Sequence, residues 1–329
     1  MKLKSVVVNL ALMAVSAGLI VGVAEVASRY MVPISPGPSL LSTDGKPIRQ
    51  SYVEPGSQYR IITPDFDALT TITKDGYRGP ASSGNPDTLF LGDSFTFAQG
   101  VTDEQAFPYL YCKAKNLDCA NLSVPGASTI YTISRLEHYL KVKGWAPNNV
   151  FLFFFTGNDF TDNLWADEQR RNGRNYQPLE LSPEQEDAVH NSLPPHKQLI
   201  STALKYSNLL RVLYYKVLPE IRQQGDDSGQ KEQLEKALAI TKESFDRLQV
   251  LSDEYAFNYR IFVIYPEPEV RLGVYKQMDE KLQAIAPSEI TSLGELFSND
   301  SQQYFFPADG HFTESGNRLL ADFLIKEMP

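Results

Sequence analysis

The stretch "TLFLGDSFTFAQGV" (residues 88–101) opens as a strand and then changes character. Leu89, Phe90 and Leu91 form a short apolar run, and Gly92-Asp93-Ser94 follows directly. A buried strand that ends on a small hydroxyl beside a carboxylate is either a plain turn or a nucleophile held at a strand tip. Further apolar runs recur downstream: "CANLSV" (119–124), "VFLFFF" (150–155), "YRIFVIY" (259–265) and the weaker "EITSL" (289–293). "VFLFFF" is uninterrupted, as in a strand covered on both faces. Between the runs the pattern predicts helices over Pro108–Lys115, Tyr131–Lys143, Lys231–Tyr255 and Tyr275–Ala286, with a last helix capped by Thr313. Strands alternating with helices predict an α/β fold built on a doubly wound, parallel, five-stranded sheet.

Around this unit the composition shifts. The chain has 329 residues, 42% of them apolar, and a net charge of −9. A core of ordinary size is available, and an acidic balance argues against broad nucleic-acid binding, which needs a basic face. Residues 6–24 form an almost uncharged run behind Lys2 and Lys4. That is nearer the length of a membrane-spanning helix than of a signal-peptide core. The flanking lysines place the remainder outside the cytoplasm. The expected arrangement is a single-pass anchor with the bulk of the chain outside the cytoplasm. The alternative is export followed by cleavage after Ala24.

Three parts are therefore expected. Residues 1–30 are the anchor. Residues 31–85 are a lead-out and small extension, extended over 31–60 where Pro33, Pro36, Pro38 and Pro55 fall, with a small strand and turn at "ITKDGYRGP" (72–80). Residues 86–329 are the main domain, with a helical insertion at about 161–230 that ends in an exposed loop, "RQQGDDSGQKEQ" (222–233). Cys112 and Cys119 are the only cysteines. Their spacing suits neither a zinc site nor a CxxC pair, and in an exported chain two cysteines permit one disulfide. Two free thiols are the alternative.

Ligands of open α/β sheets bind outside the carboxyl ends of the strands. After the first strand stands Ser94, after the second Gly126, after the third Asn158, and beyond the fifth Asp309 and His311. Together these residue types suit acyl transfer. His311 can take the proton of the Ser94 hydroxyl, and Asp309 can hold the other imidazole nitrogen. Charge developing on a carbonyl oxygen needs preorganised donors. The Ser94 N–H, the Gly126 N–H and the Asn158 amide are the candidates. Asp93 is read as structural, binding backbone around the turn. No metal-ligand spacing, P-loop or GxGxxG fingerprint is present, and the chemistry calls for no cofactor.

The blocks "LGDSFTFAQGV", "NLSVPGAS", "FFTGNDFTDN" and "DGHFTESGNRLLA" resemble those of the GDSL/SGNH hydrolases. "DGYRGP" and "GNDFTDN" resemble the membrane-anchored bacterial branch, similar to members that modify polysaccharide acetyl groups. This likeness implies a bacterial inner membrane, with the bulk of the chain in the periplasm or outside the cell. The resemblance implies a flavodoxin-like sandwich with Ser94 as nucleophile and His311 as base. It further implies Asp309 as orienter and Ser94, Gly126 and Asn158 as the oxyanion hole. One departure stands out: the family spacing is Asp-x-x-His, whereas one residue separates Asp309 from His311. The implied activity is a serine esterase of the envelope acting on acyl, especially acetyl, esters of a polysaccharide. Transfer of the acyl group to a glycan hydroxyl by the same triad, and a non-catalytic carbohydrate-binding scaffold, are the alternatives.

Overall fold

The computed structural model describes residues 2–48, 52–79, 81–82, 84–173, 195–217, 227–286 and 290–328. The apolar N-terminal run is one long helix, α1 (Lys2–Met31), whose side chains over residues 6–22 are exposed throughout. Three short strands follow: β1 (Ser39–Ser42), β2 (Gln58–Ile62) and β3 (Asp67–Thr71). They pair antiparallel in the order β1-β2-β3. This corrects the extended lead-out expected over residues 31–60. The prolines there lie outside the strands, and "QYRII" alternates so that Tyr59 and Ile61 are buried. These two join Ile72 in a satellite core that also takes in Phe97 of the main domain.

The main sheet is built from β4 (Thr88–Leu91), β5 (Cys119–Asn121), β6 (Asn149–Phe155), β7 (Asn258–Ile264) and β8 (Ile290–Ser292). All are parallel, in the spatial order β5-β4-β6-β7-β8. Renumbered from β4, that order is 2-1-3-4-5, the flavodoxin-like doubly wound topology. The helices between them are α2 (Ser94–Phe97), α3 (Phe107–Lys115), α4 (Thr129–Lys141), α5 (Asp159–Arg171), α6 (Pro195–Tyr206), α7 (Asn208–Val212), α8 (Asp227–Tyr255), α9 (Glu267–Leu272), α10 (Lys276–Ile285) and α11 (Glu314–Glu327). A π-helical turn, Leu213–Val217, extends α7.

Alternate residues of β6 explain the two layers. Phe151 and Phe153 stack with Phe90 and Phe262 on one face, where Phe107 and Tyr111 of α3 close over them and α11 packs on α3. Phe154 points the other way, to Phe160 of α5 and Phe245 of α8. α4, α5 and α8 pack together on that side. A disulfide joins Cys112 to Cys119 across a Cα–Cα distance of 6.3 Å, tying α3 to the first residue of β5.

The insertion differs in part from expectation. α5 packs within the main domain, and the segment 174–194 lies outside the described residues. The exposed loop expected at 222–233 is helical from Asp227 onward, while 222–226 fall outside the described residues. Asp and Ser at a helix start, followed by Gln, Lys and Glu, favour a helix over a loop once α8 has a domain to pack on.

Candidate active site

The turn after β4 fixes the serine. Gly92 has φ +153, and a Cβ there would lie 2.2 Å from Thr96 Oγ1 and 2.8 Å from the Phe153 carbonyl. Only glycine lets the strand end fold so tightly. Asp93 then caps α2, its Oδ1 accepting the Phe95 N–H at 2.9 Å. At the far end of α2, Ala98 is left-handed (φ 59), and the chain turns away. The fully buried Arg78 guanidinium holds that turn. It donates to the carbonyls of Phe97, Ala98 (2.7 Å) and Val101 (2.6 Å), and it pairs with Asp103 at 3.0 Å. A buried cation needs such partners, and here the partners are the backbone that positions Ser94.

The imidazole arrives from the other end of the chain. Residues 305–312 form a tight loop closed by a Phe305–Phe312 bridge and by the Phe306 N–H donating to the His311 carbonyl at 2.8 Å. Gly310, at φ +89, reverses the backbone between Asp309 and His311. That reversal turns two residues only two positions apart toward each other, so the short Asp-Gly-His spacing still delivers a contact. Asp309 Oδ1 accepts from His311 Nδ1, and His311 Nε2 lies 2.7 Å from Ser94 Oγ. With the Nδ1 proton committed to the carboxylate, Nε2 presents its lone pair to the serine O–H. Asp309 is nearly enclosed and His311 slightly open, with side-chain exposures of 4% and 15%. The Phe95 ring, 4.8 Å from the imidazole centroid, walls one side of it.

Asn158 stands at the start of α5 and lines the same cavity as Ser94 and His311. Its amide donates to Asp162 Oδ2 at 2.8 Å. The same amide also interacts with the Asp93 carboxylate, so Asn158 stands against the buried Asp93 and the half-buried Asp162 at the edge of the cavity. Gly126 is exposed and is not among the residues that line this cavity. Its φ is +71, a turn conformation, and a Cβ there would touch nothing.

Sequence reading missed the supports of this constellation. Asp65, in the β2–β3 turn, accepts the backbone N–H groups of Ala308 (2.8 Å) and Asp309 (2.7 Å). Phe66 beside it packs on Phe306 at 5.0 Å between centroids. The small antiparallel sheet is therefore a brace for the Asp-His loop. Such contacts span more than two hundred residues and leave no local signature. The acidic cluster behind Asn158 was also missed. Burial pushes the Asp93 carboxyl up to about 6, against the opposing pull of the Phe95 N–H and of His311. Burial and the charge of Asp93 raise Asp162 to about 6 and Asp159 well above the carboxylate range.

No protein-family model and no curated protein matches this chain. Solved structures do. One is a G-D-S-L family protein from Desulfitobacterium hafniense DCB-2, at 8% identity and TM-score 0.40, over 73% of this chain and 97% of that one. TesA overlaps at 14% identity and TM-score 0.39, over 72% and 94%. A carbohydrate esterase family 2 enzyme with a carbohydrate-binding domain, from Corynascus thermopiles (Myceliophthora fergusii), overlaps at 11% identity and TM-score 0.38, over 90% and 89%. The overlaps are loose, and the geometry of the site stands without them.

Proposed function

We propose that this chain is a serine esterase of the bacterial envelope, held by α1 in the inner membrane and acting through an acyl-enzyme. The observation that carries the reading is the unbroken relay from Asp309 through His311 to Ser94, with Ser94 Oγ at 2.7 Å from Nε2. A hydroxyl becomes a nucleophile only when a base takes its proton, and this distance is within reach of that transfer.

In the proposed cycle Ser94 Oγ attacks the ester carbonyl while its proton passes to Nε2. The Asp309 carboxylate stabilises the imidazolium. The Ser94 and Gly126 N–H groups and the Asn158 amide receive the oxyanion. His311 then gives the proton to the leaving alcohol, the C–O bond breaks, and the acyl group stays on Ser94. Water, activated by the same imidazole, releases it. The acyl group we assign is acetyl, and the alcohol a sugar hydroxyl of an envelope polysaccharide. The sequence blocks that resemble polysaccharide-modifying GDSL/SGNH proteins support this choice.

A fluorophosphonate probe tests the reading. It should label the wild type and leave Ser94→Ala unlabelled. Equal labelling of both, or none of either, would count against an activated Ser94.

A further inference from the structure

The cavity of about 880 Å³ that holds Ser94 and His311 is walled on its outer side by Tyr30–Ile34, the end of α1 and the residues just beyond it. Tyr215 and Lys216 of the π turn complete that wall. A site at the mouth of a sheet has no need of such neighbours, and their presence sets how far the site stands from a membrane. A helix rises about 1.5 Å per residue and the hydrocarbon core is about 30 Å thick, so about 20 residues span it. Counted from Val6, the span ends at Glu25, the first ionisable residue after Lys4.

Glu25 is also the residue that fastens α1 to the insertion. Its carboxylate accepts from Ser207 Oγ (2.7 Å), the Asn208 N–H (2.9 Å) and the Leu209 N–H (3.0 Å). Asn208 in turn donates to Ser28 Oγ and the Val32 carbonyl and accepts the Ile34 N–H. With α1 spanning a bilayer as proposed above, the α6–α7 junction falls where hydrocarbon gives way to headgroups.

The surface displayed at that depth is unlike the rest of the molecule. Leu199, Ile200, Tyr206, Leu210, Leu213 and Tyr214 are all exposed, Leu199 at 70% and Tyr206 at 76%. Among the described residues beyond Val32 and outside 195–217, the exposed large apolar side chains are Leu69, Val142, Val250 and the pair Leu272 and Val274. The segment 195–217 carries Lys197, Lys205 and Lys216, a buried Arg211 that binds the Ile34 and Leu204 carbonyls, and no Asp or Glu, in a chain of net charge −9. Apolar and tyrosine side chains mixed with lysines on one face are what an anionic bilayer surface holds.

We propose that α6, α7 and the π turn lie on an anionic bilayer as an interfacial platform, and that the site takes its ester from a lipid-anchored carrier presented at that surface. The inference rests on the esterase reading above. The ester enters between Tyr30–Ile34 and the π turn, and the carrier's apolar tail stays in the bilayer. A freely soluble ester gains nothing from this arrangement.

The test uses the full chain in phosphatidylcholine vesicles with and without phosphatidylglycerol. Two substrates share one acetylated sugar: an octadecyl glucoside acetate in the bilayer and a methyl glucoside acetate in solution. The expected result is at least a tenfold preference in kcat/KM for the octadecyl ester, greater with phosphatidylglycerol. In Leu199→Glu/Lys205→Glu and in Tyr214→Glu that ratio should fall toward one, while fluorophosphonate labelling of Ser94 shows the variants folded. Equal turnover of both esters, or a preference indifferent to these substitutions and to anionic lipid, would overturn the platform and leave the esterase standing. Absence of both Ser94 labelling and turnover would instead remove the esterase reading, and the platform's role with it.

Discussion

Asp309 is the residue on which the sequence and the structure differ most instructively. The short Asp-Gly-His spacing departs from the family pattern and reads as a weakened contact. The left-handed Gly310 removes that objection by letting both side chains turn to one point. Asp309→Asn should therefore cost about 10³–10⁴-fold in kcat, approaching the loss in His311→Ala, with KM little changed. A loss under tenfold, measured on a chromogenic acetate, would mean that the carboxylate does not hold the imidazole. Asp162 supports a second expectation, on stability. Its carboxyl is pushed up to about 6 from the usual 3.8, by burial first and then by the charge of Asp93. The folded chain thus holds that proton more tightly than the unfolded one does. The stabilisation this gives is complete below about 3.8 and is lost as pH rises through about 6. Asp162→Asn removes the ionised form. It should raise stability at pH 8 by on the order of 1 kcal/mol after allowance for partial solvent screening. At pH 4 the gain should vanish. Thermal melts across that range check both ends.

At the scale of elements, β4, β6 and β7 were legible because each is an apolar run that marks itself, while the three-residue β5 and β8 stood out less and were placed by the alternation of strands with helices. β6 shows this best: Val150 to Phe154 are buried on both faces, so the run needs no alternation to be recognised. Ser94, Asn158 and His311 were legible for a related reason, since strand ends collect functional residues in such sheets. β1 and β2 were not. They are short, they sit among prolines, and their burial depends on Phe97 from another domain segment. Their purpose became visible only with Asp65 holding the loop of Asp309. Asp65→Ala removes the acceptor of two backbone N–H groups. It should lower kcat about tenfold, leave KM nearly constant and spare fluorophosphonate labelling at long times. Asp65→Asn keeps one acceptor oxygen and should recover part of the rate. Equal KM and kcat losses, or no recovery with Asn, would mark Asp65 as a general stabiliser instead of a positioning residue.

For the whole molecule, the N-terminal helix and the site are physically joined. α1 ends in the wall of the cavity that contains Ser94, and Glu25 fastens it to Ser207, Asn208 and Leu209. The long apolar helix was plain in the sequence, as an apolar run behind two lysines. Its attachment was not, because a single Glu within a helix gives no hint of three partners nearly two hundred residues away. Glu25→Ala leaves two backbone N–H groups at the start of α7 without their acceptor. Limited trypsin digestion should then cut at Lys197 and Lys205 several times faster than in the wild type. Unchanged cutting would show that α6 and α7 are held by packing alone.

The central claim is that Ser94 carries the acyl group during turnover. Mixing the enzyme with excess p-nitrophenyl acetate, quenching in acid within the first turnover and mapping the peptides by mass tests it directly. The acetyl mass should appear on Ser94 and be absent in Ser94→Ala. An acetyl group on any other side chain, or full turnover by Ser94→Ala, would contradict the account.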